Sequence, residues 1–294
     1  MISLPIINSI SIAFLYEIYY GLYLFYGKIN ITNPICNILD KDMPNDTTDR
    51  IKEAFMTLQQ ILSPIRKAVD DYHMIEDGDT IAVGISGGKD SLTLLNGLHA
   101  LMRFYPHPFQ IHAVTVDLGF DNLDLSKIKE MCERMDIPYT VVSTEIASIV
   151  FEKRKESNPC SLCAKMRKGA LNQAIKDLGC NKVAYAHHKD DVVETMLMSL
   201  IYEGRFHTFS PVTHLDRMNL TVIRPLIYMN EADVIGYVNK NQIPVVKSPC
   251  PADGYTRREY IKNLLRNLNR ENPGVKDRMF TAILNGFDDY LIDE

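Results

Sequence analysis

The chain has 294 residues, 46% of them hydrophobic and 23% charged, with a net charge of -5. That is the composition of a globular protein with one large core or two domains, and its acidic balance excludes indiscriminate nucleic-acid binding while leaving room for local basic patches. Six cysteines in so long a chain exclude a disulfide scaffold, and their clustering points to metal binding or catalysis in a reducing compartment.

Residues 2–26 carry a single charge, Glu17. The stretch is long enough for a membrane helix but lacks the basic start and small-residue cleavage site of a signal peptide. It is crowded with Ile, Tyr, Asn, Phe and Lys, whose codons are AT-rich. Three readings stand: a membrane anchor, a folded extension, or sequence translated upstream of the true start. The last is the expectation, with Met43 or Met56 as the start. Residues 1–45 are set apart as a hydrophobic N-terminal extension, and no membrane contact is expected unless residues 1–27 are a genuine segment.

From residue 49 onward the pattern is regular. Residues 51–72 have helical spacing, interrupted near Pro64. Strands are predicted at 80–85, 110–116, 139–143, 182–186 and 220–224, where β-branched and apolar residues run together. Helices are predicted at 91–104, 123–135, 163–178, 190–202 and 231–241, with two more after Pro251. Alternating strands and helices predict an α/β fold, a doubly wound parallel sheet of about five strands with N- and C-terminal helices. Ligands of such sheets sit at the carboxyl ends of the strands.

The turn after the first strand reads Gly84-Ile-Ser-Gly-Gly-Lys-Asp-Ser91. Glycine lets backbone approach a ligand closely, and free N–H groups at a helix start attract anions. Lys89 adds a point charge, Ser86 and Ser91 add hydroxyls, and Asp90 is placed to hold magnesium between phosphates. The string is neither a Walker A loop nor a dinucleotide turn. Ser86, Gly87, Gly88, Lys89, Asp90 and Ser91 are therefore expected to cradle a polyphosphate. Val116 and Asp117, at the end of the second strand, share that sheet edge. So does Ala186-His-His-Lys-Asp-Asp191, whose His187, Asp190 and Asp191 are candidates. Paired acids there suit magnesium or the positioning of a reacting group; they equally suit a helix N-terminus.

Cys160 and Cys163 form a C-x-x-C, and Cys250 follows later, both in loops bracketed by proline. Zinc with a fourth ligand from His187, His188, His207 or His214 and an iron–sulfur cluster on three thiolates stand level on spacing alone. Cys36, Cys132 and Cys180 read as bystanders. Two basic clusters stand out. One flanks the C-x-x-C, with Lys153 and Lys155 before it and Lys165, Arg167 and Lys168 after it. The other is Arg258, Lys262, Arg266 and Arg270, every fourth residue beside an apolar stripe. Like charges at that spacing destabilise a helix by a few tenths of a kcal/mol each, so a polyanion such as RNA is the expected partner. A solvated face softened by Glu259 and Glu271 is the bland alternative.

Taken in order, SGGKDS, PCSLCAKMRKG, AHHKDDVVET, VIRPL and IPVVKSPC resemble the tRNA 2-thiocytidine synthetase family of PP-loop ATP pyrophosphatases, over roughly residues 50–285. The resemblance implies a PP-loop fold of the adenine nucleotide alpha hydrolase type. It divides the chain into a PP-loop ATPase domain with its cluster loop at 46–250 and a basic, tRNA-contacting helical segment at 251–294. It implies ATP-dependent thiolation of tRNA, in which the C2 oxygen of a cytidine is adenylated and then replaced by sulfur. The implied cofactors are ATP, Mg2+ and a [4Fe-4S] cluster on Cys160, Cys163 and Cys250. Lys89, Asp90, Arg167 and Asp191 are the expected catalytic residues. Arg167 would steady the adenylated base or the incoming sulfur. The implied partners are tRNA, a sulfur donor such as a cysteine desulfurase, and a second copy in a homodimer; the implied location is cytoplasmic. One departure concerns the last cysteine of a second C-x-x-C, where this chain has Asp253. The rivals are thiolation of another tRNA base, a PP-loop ligase using an amine, an ATP-binding cluster sensor, and an ATP-using enzyme with structural zinc.

Overall fold

A computed structural model describes residues 45–121, 123–154, 159–247, 249–250 and 257–286, with 45–57 described by backbone alone. The expectations for residues 1–42 and for Asp253 lie outside the described residues. The chain opens with helix α1 (Asn45–Asp71). It continues through β1 (Thr80–Gly84), α2 (Lys89–Met102), β2 (Gln110–Asp117), α3 (Ser126–Arg134) and β3 (Tyr139–Ser143). After a π-helical turn at Ser148–Lys153 come α4 (Pro159–Asp177), β4 (Lys182–Ala184) and α5 (Lys189–Glu203). The antiparallel pair β5 (Val212–Leu215) and β6 (Leu220–Ile223) follows, then α6 (Glu231–Lys240), α7 (Arg257–Glu271) and α8 (Val275–Leu284).

The strands form one sheet in the order β3-β2-β1-β4-β6-β5, parallel except for β5. Side chains alternate between its faces, as a period of two requires. Ile81, Val83, Ala113, Ala184 and Ile223 enter the larger core with α1, α2, α3, α5 and α6. Ala82, Val114, Val183 and Val222 enter a smaller core against Leu171 and Ile175 of α4. The sheet is thus covered on both sides. The chain runs outward from β1 to β3, then returns to β4 on the other side of β1. Loops leaving β1 and β4 diverge at this switch point, which opens a crevice at the carboxyl edge.

Several expectations change. Helix α1 runs unbroken through Pro64. A mid-helix proline costs about 3 kcal/mol, and full burial of Ile61, Leu62, Ile65, Ala68 and Val69 offsets it. The helix lies so close to α2 that a Cβ on Gly97 would stand 2.3 Å from Ile65 Cδ1. The sixth strand, β5, has too short and too half-buried a pattern to read as a strand before it pairs with β6. Cys160 is not in a loop: α4 begins at Pro159, four residues before the predicted start, and carries both cysteines within its first five residues. Proline favours that position because its missing N–H has no partner to lose there. Cys250 does lie outside regular structure. Among the described residues no helix is long and apolar enough to cross a membrane.

Candidate active site

The loop between β1 and α2 is held open by its own serines. The Ser91 hydroxyl accepts from the Ser86 N–H at 3.2 Å and donates to the Gly88 carbonyl at 3.0 Å, and the Gly88 N–H donates to Ser86 Oγ at 3.3 Å. Ser91 is buried, so it shapes the loop from within rather than facing a ligand. Gly87 has φ +81, the left-handed region, and a Cβ there would stand 3.1 Å from Val246 Cβ. Only glycine meets both demands easily. The Val246 N–H donates to the Gly87 carbonyl at 2.9 Å, which ties the segment leading to Cys250 to this loop.

Lys89 Nζ reaches Asp90 and Glu231, each at 3.0 Å. Burial pulls its pKa down, but those carboxylates outweigh burial and hold it above the ordinary lysine value. On Glu231 burial pushes upward, and Lys262 and Lys89 overcome it and bring the group down to about 2. Lys262 Nζ lies 3.0 Å from Glu231 and 3.9 Å from Glu194. Arg258 lies 3.0 Å from Asp191 and 3.2 Å from Glu194. Glu194 is almost fully buried; its pKa rises to about 7, chiefly through burial, with Asp191 and Glu231 adding and Lys262 and Arg258 opposing. The carboxylates therefore share cations supplied by the phosphate loop and by α7.

The aspartate pair divides its tasks. Asp191 accepts the His188 N–H at 3.0 Å with one oxygen and Arg258 with the other. Asp190, the sequence's candidate for the nucleotide, accepts from Lys276 Nζ at 2.6 Å and from the Glu231 N–H at 2.7 Å. Burial raises its pKa, and Lys276 and that amide more than reverse the shift. Its work is to tie α6 and α8 to the start of α5. His188 is buried between Asp90 (3.7 Å) and Asp191 (3.5 Å), and its Nδ1, 3.9 Å from Asp190, has no hydrogen-bond partner among the described residues. His187 stacks on Phe209 with centroids 4.6 Å apart and accepts from Arg224 Nε at 3.3 Å. Burial first, then neighbouring positive charge, lowers its pKa to about 4, so it is neutral near pH 7. Val116 and Asp117 end β2 on the same edge, where Asp117 Oδ1 accepts the Gly119 N–H at 2.9 Å.

The cysteines gather beside this edge. The Cys163 thiol is pushed up by burial and by neighbouring Cys250 and Cys160, with Arg167 opposing. Arg167 also acts on Tyr185, whose ring lies 3.6 Å from where a Gly84 Cβ would be. Among the described residues no group of His, Cys, Asp or Glu converges tightly enough to hold one metal ion. Cys132 and Cys180 are buried in the two cores, as their bystander reading requires.

The basic row of α7 divides in a way its spacing did not predict. Arg258 and Lys262 turn inward to carboxylates and are withdrawn from an RNA-facing role. Arg266 and Arg270 stay exposed. The sequence also missed Glu194, Glu231 and Lys276 as site residues, and it offered His188 only as a zinc ligand. Glu194 had a signal, since it lies three residues beyond Asp191 on one helix face. Glu231 and Lys276 had none, because α6 and α8 deliver them from far along the chain.

The chain matches the PP-loop domain family over residues 57–269. It is 38% identical over 238 residues to the tRNA-cytidine(32) 2-sulfurtransferase of Geobacter sulfurreducens, covering 80% of this chain and 93% of that protein. The protein of the same name from Cupriavidus necator is 34% identical over 236 residues, covering 80% and 75%. The chain belongs to the PP-loop family, among the tRNA-cytidine 2-sulfurtransferases. A solved U34-tRNA thiolase NcsA from Methanococcus maripaludis, with its [4Fe-4S] cluster, shares the PP-loop fold at TM-score 0.63 and 24% identity, covering 80% and 79% of the two chains.

Proposed function

We propose that the protein is an ATP-dependent tRNA thiolase that replaces the C2 oxygen of a tRNA cytidine with sulfur. One observation carries the reading: the Cys163 thiol feels those of Cys160 and Cys250, and Val246, four residues before Cys250, is hydrogen-bonded to the phosphate loop. An ATP site and a thiol cluster side by side suit a reaction that activates an oxygen and then exchanges it for sulfur.

The base oxygen is a poor leaving group. In the first step it attacks the α-phosphorus of ATP; the O–P bond forms, the bond to pyrophosphate breaks, and pyrophosphate takes the electron pair. The ammonium of Lys89, with the backbone of the glycine turn, stabilises that developing charge. Lys89 is kept charged and in place by Asp90 and Glu231 until phosphates arrive. Asp90 and Asp191 are the carboxylates that would hold Mg2+, which supplies further charge neutralisation on the phosphates. In the second step a sulfur nucleophile bonds to C2, the C2–O bond breaks, and AMP departs with the former base oxygen. A [4Fe-4S] cluster on Cys160, Cys163 and Cys250 supplies a metal site for that sulfur when bound. Arg167, beside Cys163 and Tyr185, offers a cation for the adenylated base. Val116, Asp117 and His187 line the nucleotide side of the crevice. The same proposal includes a cysteine desulfurase as sulfur source, a homodimer and a cytoplasmic location.

The test is a mass-spectrometric nucleoside profile of tRNA from cells with and without the protein, where loss of 2-thiocytidine is expected. Loss of another thionucleoside would correct the base, and an unchanged profile would overturn the reading. The Cys250→Ser variant is expected to keep tRNA-dependent pyrophosphate release but to make no thionucleoside. Full thiolation by that variant would remove the cluster from the proposal.

A further inference from the structure

Helix α7 has two faces of different chemistry. Ile261 and Leu265 are buried, and beside them Arg258 and Lys262 meet carboxylates of the site. The opposite face exposes Arg257, Tyr260, Asn263, Arg266, Asn267 and Arg270, beside two carboxylates, the half-buried Glu259 and the exposed Glu271. Arg266 donates to Asn263 Oδ1 and Arg270 to Asn267 Oδ1, each one turn back. A neutral amide orients a guanidinium without cancelling its charge. These arginines are therefore oriented by neutral partners.

Aromatic surface adjoins them. Tyr260 is 59% exposed and Phe206 67% exposed. Phe206 follows Gly204, which ends α5 in the left-handed region at φ +64. Tyr202, in the last turn of α5, is 40% exposed, and the Arg257 guanidinium lies 4.8 Å from its ring centroid. The nearby carboxylate of Glu203 is matched by Arg205 at 2.6 Å. The surface thus carries exposed rings and guanidinium groups together. Aromatic faces accept stacked bases of any sequence, and arginines between them accept the phosphates that join those bases. A paired helix would offer phosphates but keep its bases stacked on one another.

We propose that Tyr202, Phe206, Arg257 and Tyr260, with Arg266 and Arg270, bind unpaired nucleotides that flank the reacting base. The inference rests on the tRNA reading above and specifies which part of the RNA this face takes. Position supports it. Tyr202 lies eleven residues along α5 from Asp191, about 16 Å at 1.5 Å per residue, a span of a few nucleotides from the crevice. Charge supports it as well, since the exposed cations of α7 stand out in an acidic protein.

The test uses the full-length protein and two labelled RNAs of similar size, a stem-loop with an unpaired cytidine and a blunt duplex, read by fluorescence anisotropy. Wild type is expected to bind the stem-loop more tightly than the duplex. The double variant Phe206→Ala/Tyr260→Ala is expected to lose about tenfold or more on the stem-loop and little on the duplex. The variant Arg266→Gln/Arg270→Gln is expected to weaken both and to lower the salt dependence of binding by about two counterions. ATP binding and circular dichroism check that each variant folds. An aromatic variant that folds and keeps its stem-loop affinity would overturn the inference, as would one that weakens both RNAs equally. A change in sedimentation of that variant, with RNA affinity intact, would reassign the face to contact between copies of the chain. Wild type is also assayed for thiolation of tRNA. Thiolation without stem-loop preference sinks this inference alone, whereas the preference without thiolation sinks the enzymatic reading and leaves an RNA-binding surface.

Discussion

The two edges of the sheet both bury charge, and they bury it differently. At the amino edge Lys182 meets Asp79 at 2.8 Å and the Met74 carbonyl at 3.1 Å. The oxygens of Asp79 also accept from the Asn181 amide at 2.6 Å and the Glu76 N–H at 2.7 Å. The set is closed on itself. At the carboxyl edge Asp90, Asp191, Glu194 and Glu231 share Lys89, Arg258 and Lys262, and His188 Nδ1 has no hydrogen-bond partner among the described residues. Buried charge that satisfies itself is structure. Buried charge that shares its counter-ions and leaves a polar atom unmet is arranged for a charged ligand.

Breaking the amino edge gives the largest expected effect. Asp79→Ala leaves Lys182 buried without its carboxylate and is expected to cost about 3–5 kcal/mol, a fall in Tm of roughly 10 °C, with catalysis by the folded fraction unchanged. Thermal unfolding beside an activity assay checks this, and lost activity at full stability would undo the comparison. Lys89→Ala at the carboxyl edge is expected to do the reverse. Removing a charge-stabilising donor lowers turnover by about 10²–10³-fold, while a half-exposed lysine contributes little to stability. Pyrophosphate release in the presence of tRNA measures it.

Glu194 sharpens the comparison through pH. Its folded pKa of about 7 lies above the ordinary value of 4.5 because burial outweighs the nearby Lys262 and Arg258, with Asp191 and Glu231 adding to the rise. Between those values the folded state binds more protons than the unfolded state, so stability contributed by protonated Glu194 is full below 4.5 and lost as pH rises through 7. Glu194→Gln is expected to abolish that loss. Its stability relative to wild type should improve by on the order of 3 kcal/mol across the window, as urea unfolding at pH 5 and pH 8 would show. Parallel profiles would mean that Glu194 is ionised throughout. The smallest effect belongs to the backbone. Gly87→Ala imposes a side chain at φ +81 against Val246, at about 1–3 kcal/mol. It is expected to raise the KM for ATP more than it lowers kcat, and steady-state kinetics separate the two.

Local patterns were legible. The phosphate loop announced itself because strand, glycines, lysine and helix start are consecutive, and five of the six strands were marked by runs of β-branched residues. The cysteines were legible as a set but not in setting, because helix α4 starts one turn earlier than its apolar pattern does. The sharing of Arg258 and Lys262 between Asp191, Glu194 and Glu231 was not legible. Periodicity reports that cations lie on one side of a helix, and it is silent about what the neighbouring helix presents to them. β5 was missed for a related reason, since four half-buried residues become a strand only when β6 pairs with them.

The sequence by itself determined the α/β alternation and the phosphate-binding turn, because these depend on residues near one another in the chain. The tertiary structure alone decided which carboxylates are committed and which are shared. It also decided which arginines face inward, and it brought Cys250 to Cys163. Charge acts through space. Its partners here come from α5, α6, α7 and α8, segments whose proximity is fixed only when the apolar faces have packed.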